Sequence, residues 1–309
     1  MLDYPLLEAL AAVVREGSFE RAARVLHVTP SAVSQRVKLL EERLGQVLVV
    51  RAQPCRPTAT GAVLCGHAEQ VALLEHELRS RLPEVGTSPG PRPTLRLAAN
   101  ADSVATWLVR ALADFTSRHA VLFDLAVDDE SHTAELLRSG SVLGAVTSQA
   151  EPVQGCRSTC LGTLRYLATC SPGFHRRHFG SGVTGAALAS APCLRFDTKD
   201  ALQRTFLRRL TRAHVEPPTH WVPSPHGFVD ACREGMGWGM NPEPLIREEL
   251  RAGRLVELAA GRHLDVVLYW QQGRLASPLA EELSRTLQAA ARASLRQATP
   301  GSRKARVPR

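Results

Sequence analysis

The segment Gly17–Gly45, GSFERAARVLHVTPSAVSQRVKLLEERLG, limits what this chain can fold into more than any other. Two glycines bracket it, and two helical patterns inside it are split by a short polar turn. Ser18 is placed to cap the first helix, whose apolar stripe is Ala22, Ala23 and Leu26. Thr29 and Pro30 open the second, with proline at a first-turn position where its missing N–H costs little. Val33, Val37, Leu40 and Leu44 then fall on one face, and Gly45 is the stop. A helix-turn-helix needs small residues where its helices nearly touch, a polar turn, and short polar side chains at the start of the helix that enters the major groove. Ala22 and Ala23, His27 to Thr29, and Ser31, Ser34 and Gln35 meet those three needs, with Lys38 one turn further on. A generic three-helix bundle shares this spacing and stays open at this point.

Upstream, Leu6, Leu10, Val13 and Val14 predict another helix ending at Gly17. Downstream, VLVVRAQPCRPTATG reads as strand, turn and return, a small β-wing. The winged unit spans residues 1–60, and a linker helix follows at 61–82. Leu64, Val71 and Leu78 repeat every seventh residue with Leu74 between, the pattern of a short coiled-coil seam for a homodimer. Packing of this helix on its own domain is the alternative. Residues 83–93 hold four prolines with Gly86 and Gly90, so they read as a hinge.

After Thr94 the pattern turns to strand–helix alternation, which predicts an α/β effector domain over 94–296. TLRLAAN, VLFDLAV and LGAVTS are strands separated by helices; PCLRFD, THWVP and LVELA belong to a second set. The expected lobes are 94–165 with 266–296, and 166–265, leaving a cleft between them. Residues 297–309 read as a basic, disordered tail.

Charge alone would not find the DNA site. The chain carries a formal +8, yet residues 1–60 hold eight Lys or Arg against six acids, and Arg292–Arg309 holds six basic residues and no acid. No apolar run is long enough for a membrane span and no signal peptide opens the chain, so the expected location is cytoplasmic. Seven cysteines form no disulfide framework. Cys156, Cys160, His175 and His178 fit no common zinc spacing, so no metal and no cofactor are expected. HExxH and Walker patterns are missing from the sequence, which argues against an enzyme; an α/β enzyme fused to a DNA-binding module is the remote alternative.

From Leu6 to Gly61 the chain resembles the LysR-type transcriptional regulators almost position by position, including the strand ending at Arg51 and PTATG at the wing's exit. The resemblance runs on to about residue 296. NADSVATWL (100–108), the acidic DDE at 128–130, GAVTS and VLYWQ are similar to the LysG/ArgP branch, which controls basic amino-acid export. It implies a two-lobed, periplasmic-binding-protein-like effector domain, a homodimer through the linker helix, and a tetramer on double-stranded DNA. RNA polymerase is an implied partner if the regulator activates. Carried over by position, Ser31, Ser34, Gln35 and Lys38 meet the major groove, and Arg51, Arg56 and Thr58 touch phosphates near the wing.

The implied effector is lysine or arginine; another metabolite or a redox signal through the thiols is the alternative. Asn100, Asp102 and Ser103 fall at a strand-to-helix junction, where backbone N–H groups favour a carboxylate; plain helix capping would explain Asp102 and Ser103 equally well. Asp129 and Glu130 would accept an ammonium group or form a solvated loop. Thr147 and Asp197 end strands, and Trp107 walls the cleft or sits in the core. Gly235, Gly237 and Gly239 around Trp238 read as a close backbone turn.

Overall fold

The computed structural model describes residues 2–82, 92–127, 130–212, 214–274 and 277–297. Most of the expected hinge, the pair Asp128–Asp129 and all but the first residue of the basic tail lie outside them. The chain divides into two compact units. One comprises Met1–Ala99, Leu112–Thr159 and Trp270–Thr286; the other comprises Asn100–Ala111, Cys160–Tyr269 and Leu287–Arg309. The expected lobes differ in detail: Asn100–Ala111 and the stretch from Leu287 group with the second unit, and the N-terminal domain groups with the first lobe.

In the first unit, helix α1 (Tyr4–Glu16) ends on Gly17 at φ +67°. A side chain there would also lie 2.8 Å from Cβ of Pro54, so conformation and space both require glycine. Helix α2 (Phe19–Val25) is capped by Ser18, whose Oγ accepts from the N–H of Arg21 at 3.3 Å. Helix α3 (Pro30–Leu44) is capped by Thr29, whose Oγ1 accepts from the N–H of Ala32 at 3.2 Å, and Gly45 ends it at φ +65°. Leu6, Leu10, Val13, Ala22, Val33 and Leu40 are buried in one apolar cluster. Leu44 departs from the expected face: in the last turn of α3 it is 38% exposed. The wing is a two-stranded antiparallel ribbon, β1 (Val49–Val50) on β2 (Arg56–Pro57), with Val49 opposite Pro57.

Helix α4 (Ala59–Arg81) follows without a break. It lies on the α/β part of the same unit, where a Cβ at Gly66 would come within 2.4 Å of the Gly140 carbonyl. Near its far end, Oε1 of Glu77 accepts from Ser277 Oγ at 2.7 Å and from the Leu279 N–H at 2.8 Å. Strand β3 (Thr94–Ala99) is flanked in parallel by β4 (Leu122–Val127) and β5 (Gly144–Thr147), the expected three strands. Three helices join them in sequence: the short α5 (Ala101–Ser103), continued by a π-turn over Val104–Leu108; α6 (Val109–Thr116); and α7 (Glu130–Arg138).

The second unit is built on β6 (Cys156–Cys170), which begins in the first unit and crosses into this one. It pairs antiparallel with β9 (Gly239–Pro242) and β10 (Val256–Glu257). Strand β7 (Cys193–Arg195) runs parallel to β8 (Thr219–Trp221). Helices α8 (Pro172–Phe179), α9 (Gly185–Ser190), α10 (Leu202–Leu210), α11 (Pro225–Arg233) and α12 (Glu243–Arg251) cover the strands. Strand β11 (His263–Gly273) and helix α13 (Pro278–Ser294) complete the chain's order and contribute to both units. The core of the second unit gathers Leu194, Phe228, Cys232, Ile246 and Leu255. The glycines around Trp238 are not one tight turn. Gly235 alone is left-handed, at φ +79°, while Gly237 and Gly239 let backbone press on the Pro192 carbonyl and the Phe228 ring.

Candidate DNA-reading surface and effector site

On α3, burial of Val33, Val37 and Leu40 turns the opposite face to solvent. Ser31, Gln35 and Lys38 are exposed on it and Ser34 is half-buried. Thr29 Oγ1 and Ser31 Oγ lie 2.9 Å apart, so the cap and the first polar side chain form one small network. Lys38 reaches only Glu42, at 3.5 Å across open solvent. On the wing side, the Arg51 guanidinium stacks 5.0 Å over the Phe19 ring, while Arg56 projects from β2. Thr58 also caps α4. Its hydroxyl donates to the Val47 carbonyl at 2.9 Å and accepts from the Gly61 N–H at 3.1 Å, closing the wing onto the start of α4.

Along α4, Leu64 is partly buried against the N-terminal core and Val71 is half-buried. Leu74 and Leu78 are 40% and 52% exposed, so the far half of the expected seam carries an open apolar face.

The expected effector residues separate between the units. Thr147 is buried in the first, where its Oγ1 accepts from the Gln149 N–H at 3.1 Å. Asp129 lies outside the described residues, and Glu130 opens α7. In the second unit, Asn100 rather than Asp102 caps the helical start: its Oδ1 accepts from the Ser103 N–H at 2.9 Å. Asp102 is thereby free of the capping role. Its Oδ2 accepts from the Tyr166 hydroxyl at 2.7 Å, and it makes no ion pair among the described residues. Burial pushes its carboxyl up to about 6, the Tyr166 hydrogen bond pulls the other way, and the nearby Asp200 carboxylate adds to the rise. Ser103 is fully buried and Trp107 almost so; Ser103 Oγ and Trp107 Nε1 have no hydrogen-bond partner. Asp197 is exposed, and its Oδ1 accepts from the N–H groups of Lys199 and Asp200, both at 2.8 Å.

Three residues of this neighbourhood escaped sequence reasoning. Tyr166 sits mid-strand in β6, with nothing local to mark it. Asp200 makes no ion pair among the described residues; its two oxygens accept from the N–H groups of Phe196 and Leu202, both at 3.0 Å. Gln203, in the first turn of α10, is 2% exposed with both amide atoms unpartnered. A glutamine between Leu202 and Arg204 gives no hint of burial, although the apolar period of α10 (Phe206, Leu207) does place it on the inner face.

No group of three His, Cys, Asp or Glu side chains converges among the described residues. Burial pushes the thiols of Cys65, Cys170 and Cys232 up to about 12, so these sulfurs stay protonated and unreactive. No helix among the described residues is long and apolar enough to cross a membrane.

A capped, solvent-facing helix on a winged three-helix core, followed by an α/β binding fold, defines a DNA-binding transcriptional regulator that carries its own ligand domain. Residues 5–62 match the family of bacterial regulatory helix-turn-helix proteins of the lysR type, and residues 88–292 match the LysR substrate binding domain. The chain is 46% identical over 304 residues to the HTH-type transcriptional regulator LysG of Mycobacterium tuberculosis, covering 97% of this chain and 98% of that one. The crystal structure of ArgP from Mycobacterium tuberculosis superposes with a TM-score of 0.78 at 47% identity, covering 96% and 100% of the two chains. Full-length LysG from Corynebacterium glutamicum with bound effector Arg superposes with a TM-score of 0.69 at 38% identity, covering 96% and 100%. The chain belongs to the LysR family of transcriptional regulators.

Proposed function

We propose that this regulator senses lysine or arginine and controls a promoter such as that of a basic amino-acid exporter, acting by binding alone and without a catalytic step. The observation that carries this reading is Asp102: a desolvated carboxylate held by one tyrosine hydroxyl, with no ion-pair partner among the described residues. An isolated buried carboxylate is costly, and a ligand ammonium or guanidinium group would relieve that cost. The arginine bound in the Corynebacterium glutamicum relative supports the same ligand class. The helical start at Asn100 and Ser103 is suited to the ligand's carboxylate, with Trp107, Asp197, Thr147, Asp129 and Glu130 as further candidate contacts. In the DNA-reading domain, Ser31, Ser34, Gln35 and Lys38 face the major groove, and Arg51 and Arg56 hold phosphates. Leu74 and Leu78, continuing from Leu64 and Val71, form the homodimer seam, and the protein works in the cytoplasm as a dimer or tetramer on double-stranded DNA.

Titration calorimetry tests the ligand. Lysine or arginine binds the full-length protein, leucine and glutamate bind far more weakly, and Asp102→Asn loses the preference while ligand-free DNA binding is kept. Equal binding of leucine would overturn the assignment.

A further inference from the structure

Helix α10 of the second unit carries exposed arginines and no acid of its own. Several arginines elsewhere in that unit are paired locally, Arg233 with Asp230 at 3.0 Å, Arg251 with Glu248 at 2.7 Å, Arg254 with Glu249 at 2.7 Å and Arg296 with Glu243 at 3.0 Å, whereas Arg176 and Arg177 of α8 are, like those of α10, without an ion-pair partner among the described residues. On α10, Arg204 and Arg208 are exposed and one turn apart, and the exposed Arg212 follows two residues past the helix end, beyond the extended Thr211. None of these three has an ion-pair partner among the described residues, and α10 itself contains no acid. The two acids that precede it, Asp197 and Asp200, turn their oxygens to backbone N–H groups of their own loop. Arg209 flanks the stripe and donates to the His263 carbonyl at 3.3 Å; beside it, Asp265 is already held by Arg165 at 2.8 Å.

Helix stability does not explain this arrangement. A cation in the first turn, where Arg204 stands, opposes the helix dipole, and like charges four residues apart destabilise a helix by a few tenths of a kcal/mol. The exposed face offers only Thr205 between the arginines, with no aromatic or aliphatic anchor of the kind that dominates protein–protein contacts. Arg204 and Arg208, whose positions lie about 6 Å apart along the axis, suit a ligand with closely repeated anionic oxygens. Backbone phosphates repeat on that scale, and the N-terminal domain already brings DNA to this chain.

We propose that Arg204, Arg208 and Arg212 form a second, sequence-independent DNA contact that takes backbone phosphates. It rests on DNA binding by the N-terminal domain and extends it to the effector fold. The test uses the full-length protein and long mixed-sequence duplex DNA, with affinity followed by fluorescence anisotropy across a salt series. The triple variant Arg204→Gln, Arg208→Gln, Arg212→Gln lowers the slope of log affinity against log salt by about 2–3, since each lost phosphate contact removes about 0.9. The matching triple lysine variant keeps the slope, because it keeps the charge. A separate Lys38→Gln, Arg56→Gln variant lowers the slope through the helix-turn-helix, so failure of that reading shows on its own. An unchanged slope in the glutamine triple overturns the proposal, as does an equal loss in the lysine triple. An acidic protein partner in place of DNA would give the first of these two results.

Discussion

The N-terminal domain and the second unit differ in how completely they satisfy themselves. In the winged domain the core is aliphatic, Ser18, Thr29 and Thr58 each make their capping hydrogen bond, and no buried side-chain polar atom of the described residues is left unpartnered. In the second unit, polar atoms of Ser103, Trp107, Gln203, Trp238 and Asn241 are buried and unpartnered, and Asp102 is desolvated beside a single hydroxyl. Unmade hydrogen bonds in an interior cost about 1–3 kcal/mol each. The contrast separates two kinds of recognition. The DNA-binding domain presents a surface whose polar groups lie in solvent, whereas the second unit keeps buried polar groups without partners among the described residues.

The contrast breaks first if the winged core is less tightly packed than its burial implies. Leu10 is fully buried among α1, α2 and α3. Leu10→Ala is expected to cost about 2–5 kcal/mol, lowering the first transition in a circular-dichroism melt and abolishing DNA binding. Lysine binding by the second unit should survive. A loss below about 1 kcal/mol would mean that the core can collapse around the cavity.

Asp102 sharpens the other side. Its carboxyl is raised from 3.8 to about 6 in the folded chain, so the fold holds a proton more tightly than the unfolded chain does. Its contribution is therefore fully present below pH 3.8 and is lost as pH rises through about 6. Asp102→Asn should remove that slope and leave the ligand-free protein about 2 kcal/mol more stable at neutral pH, read from denaturant midpoints. Below about pH 6 the wild type should also release a proton on binding a basic amino acid, seen as a buffer-dependent calorimetric heat. A flat wild-type pH profile would show that water already solvates the carboxylate.

Gln203 gives a smaller effect of opposite meaning. Gln203→Leu replaces an amide with two unpartnered atoms by an apolar side chain of similar size. The ligand-free protein should gain about 1 kcal/mol, since apolar replacement of an unsatisfied buried group is neutral or stabilising. The thermal shift produced by ligand should shrink by a comparable amount. Destabilisation would place an ordered water on the amide instead.

The same contrast governs what could be read from the sequence. The winged domain is made by local signals: Ser18 and Thr29 cap, Gly17 and Gly45 stop, and helical spacing sorts inside from outside, failing only at Leu44, where the last turn has nothing to pack against. The strands β3, β4 and β5 are legible for the same reason. Strand β6 is not, because Gly162 at φ +132° and the run CLGTLRYLATC break the alternation of a half-buried strand. The effector neighbourhood is the least legible part. Asp102 meets Tyr166 across 64 positions, and no local pattern encodes that pairing. Thr58 shows the converse, since similarity of position suggests a phosphate contact while its capping of α4 is a local feature.

Lys38 offers the smallest effect and the most direct reading of the exposed surface. Its ammonium group lies 3.5 Å from Glu42 with both side chains mostly exposed, so the pair adds little to folding. Lys38→Ala should change stability by less than about 0.5 kcal/mol, the usual size of an exposed helical ion pair. On DNA it should act differently: if Lys38 neutralises a phosphate, the salt slope falls by about 1 and affinity drops similarly on every sequence. If it reads a base, the loss is confined to one position of the site, as expected for Gln35→Ala at about 1–3 kcal/mol. Anisotropy titrations on a panel of single-base operator variants separate the two. A sizeable loss of folding stability with unchanged DNA binding would reverse the comparison, making this face of α3 a structural surface rather than a finished reading one.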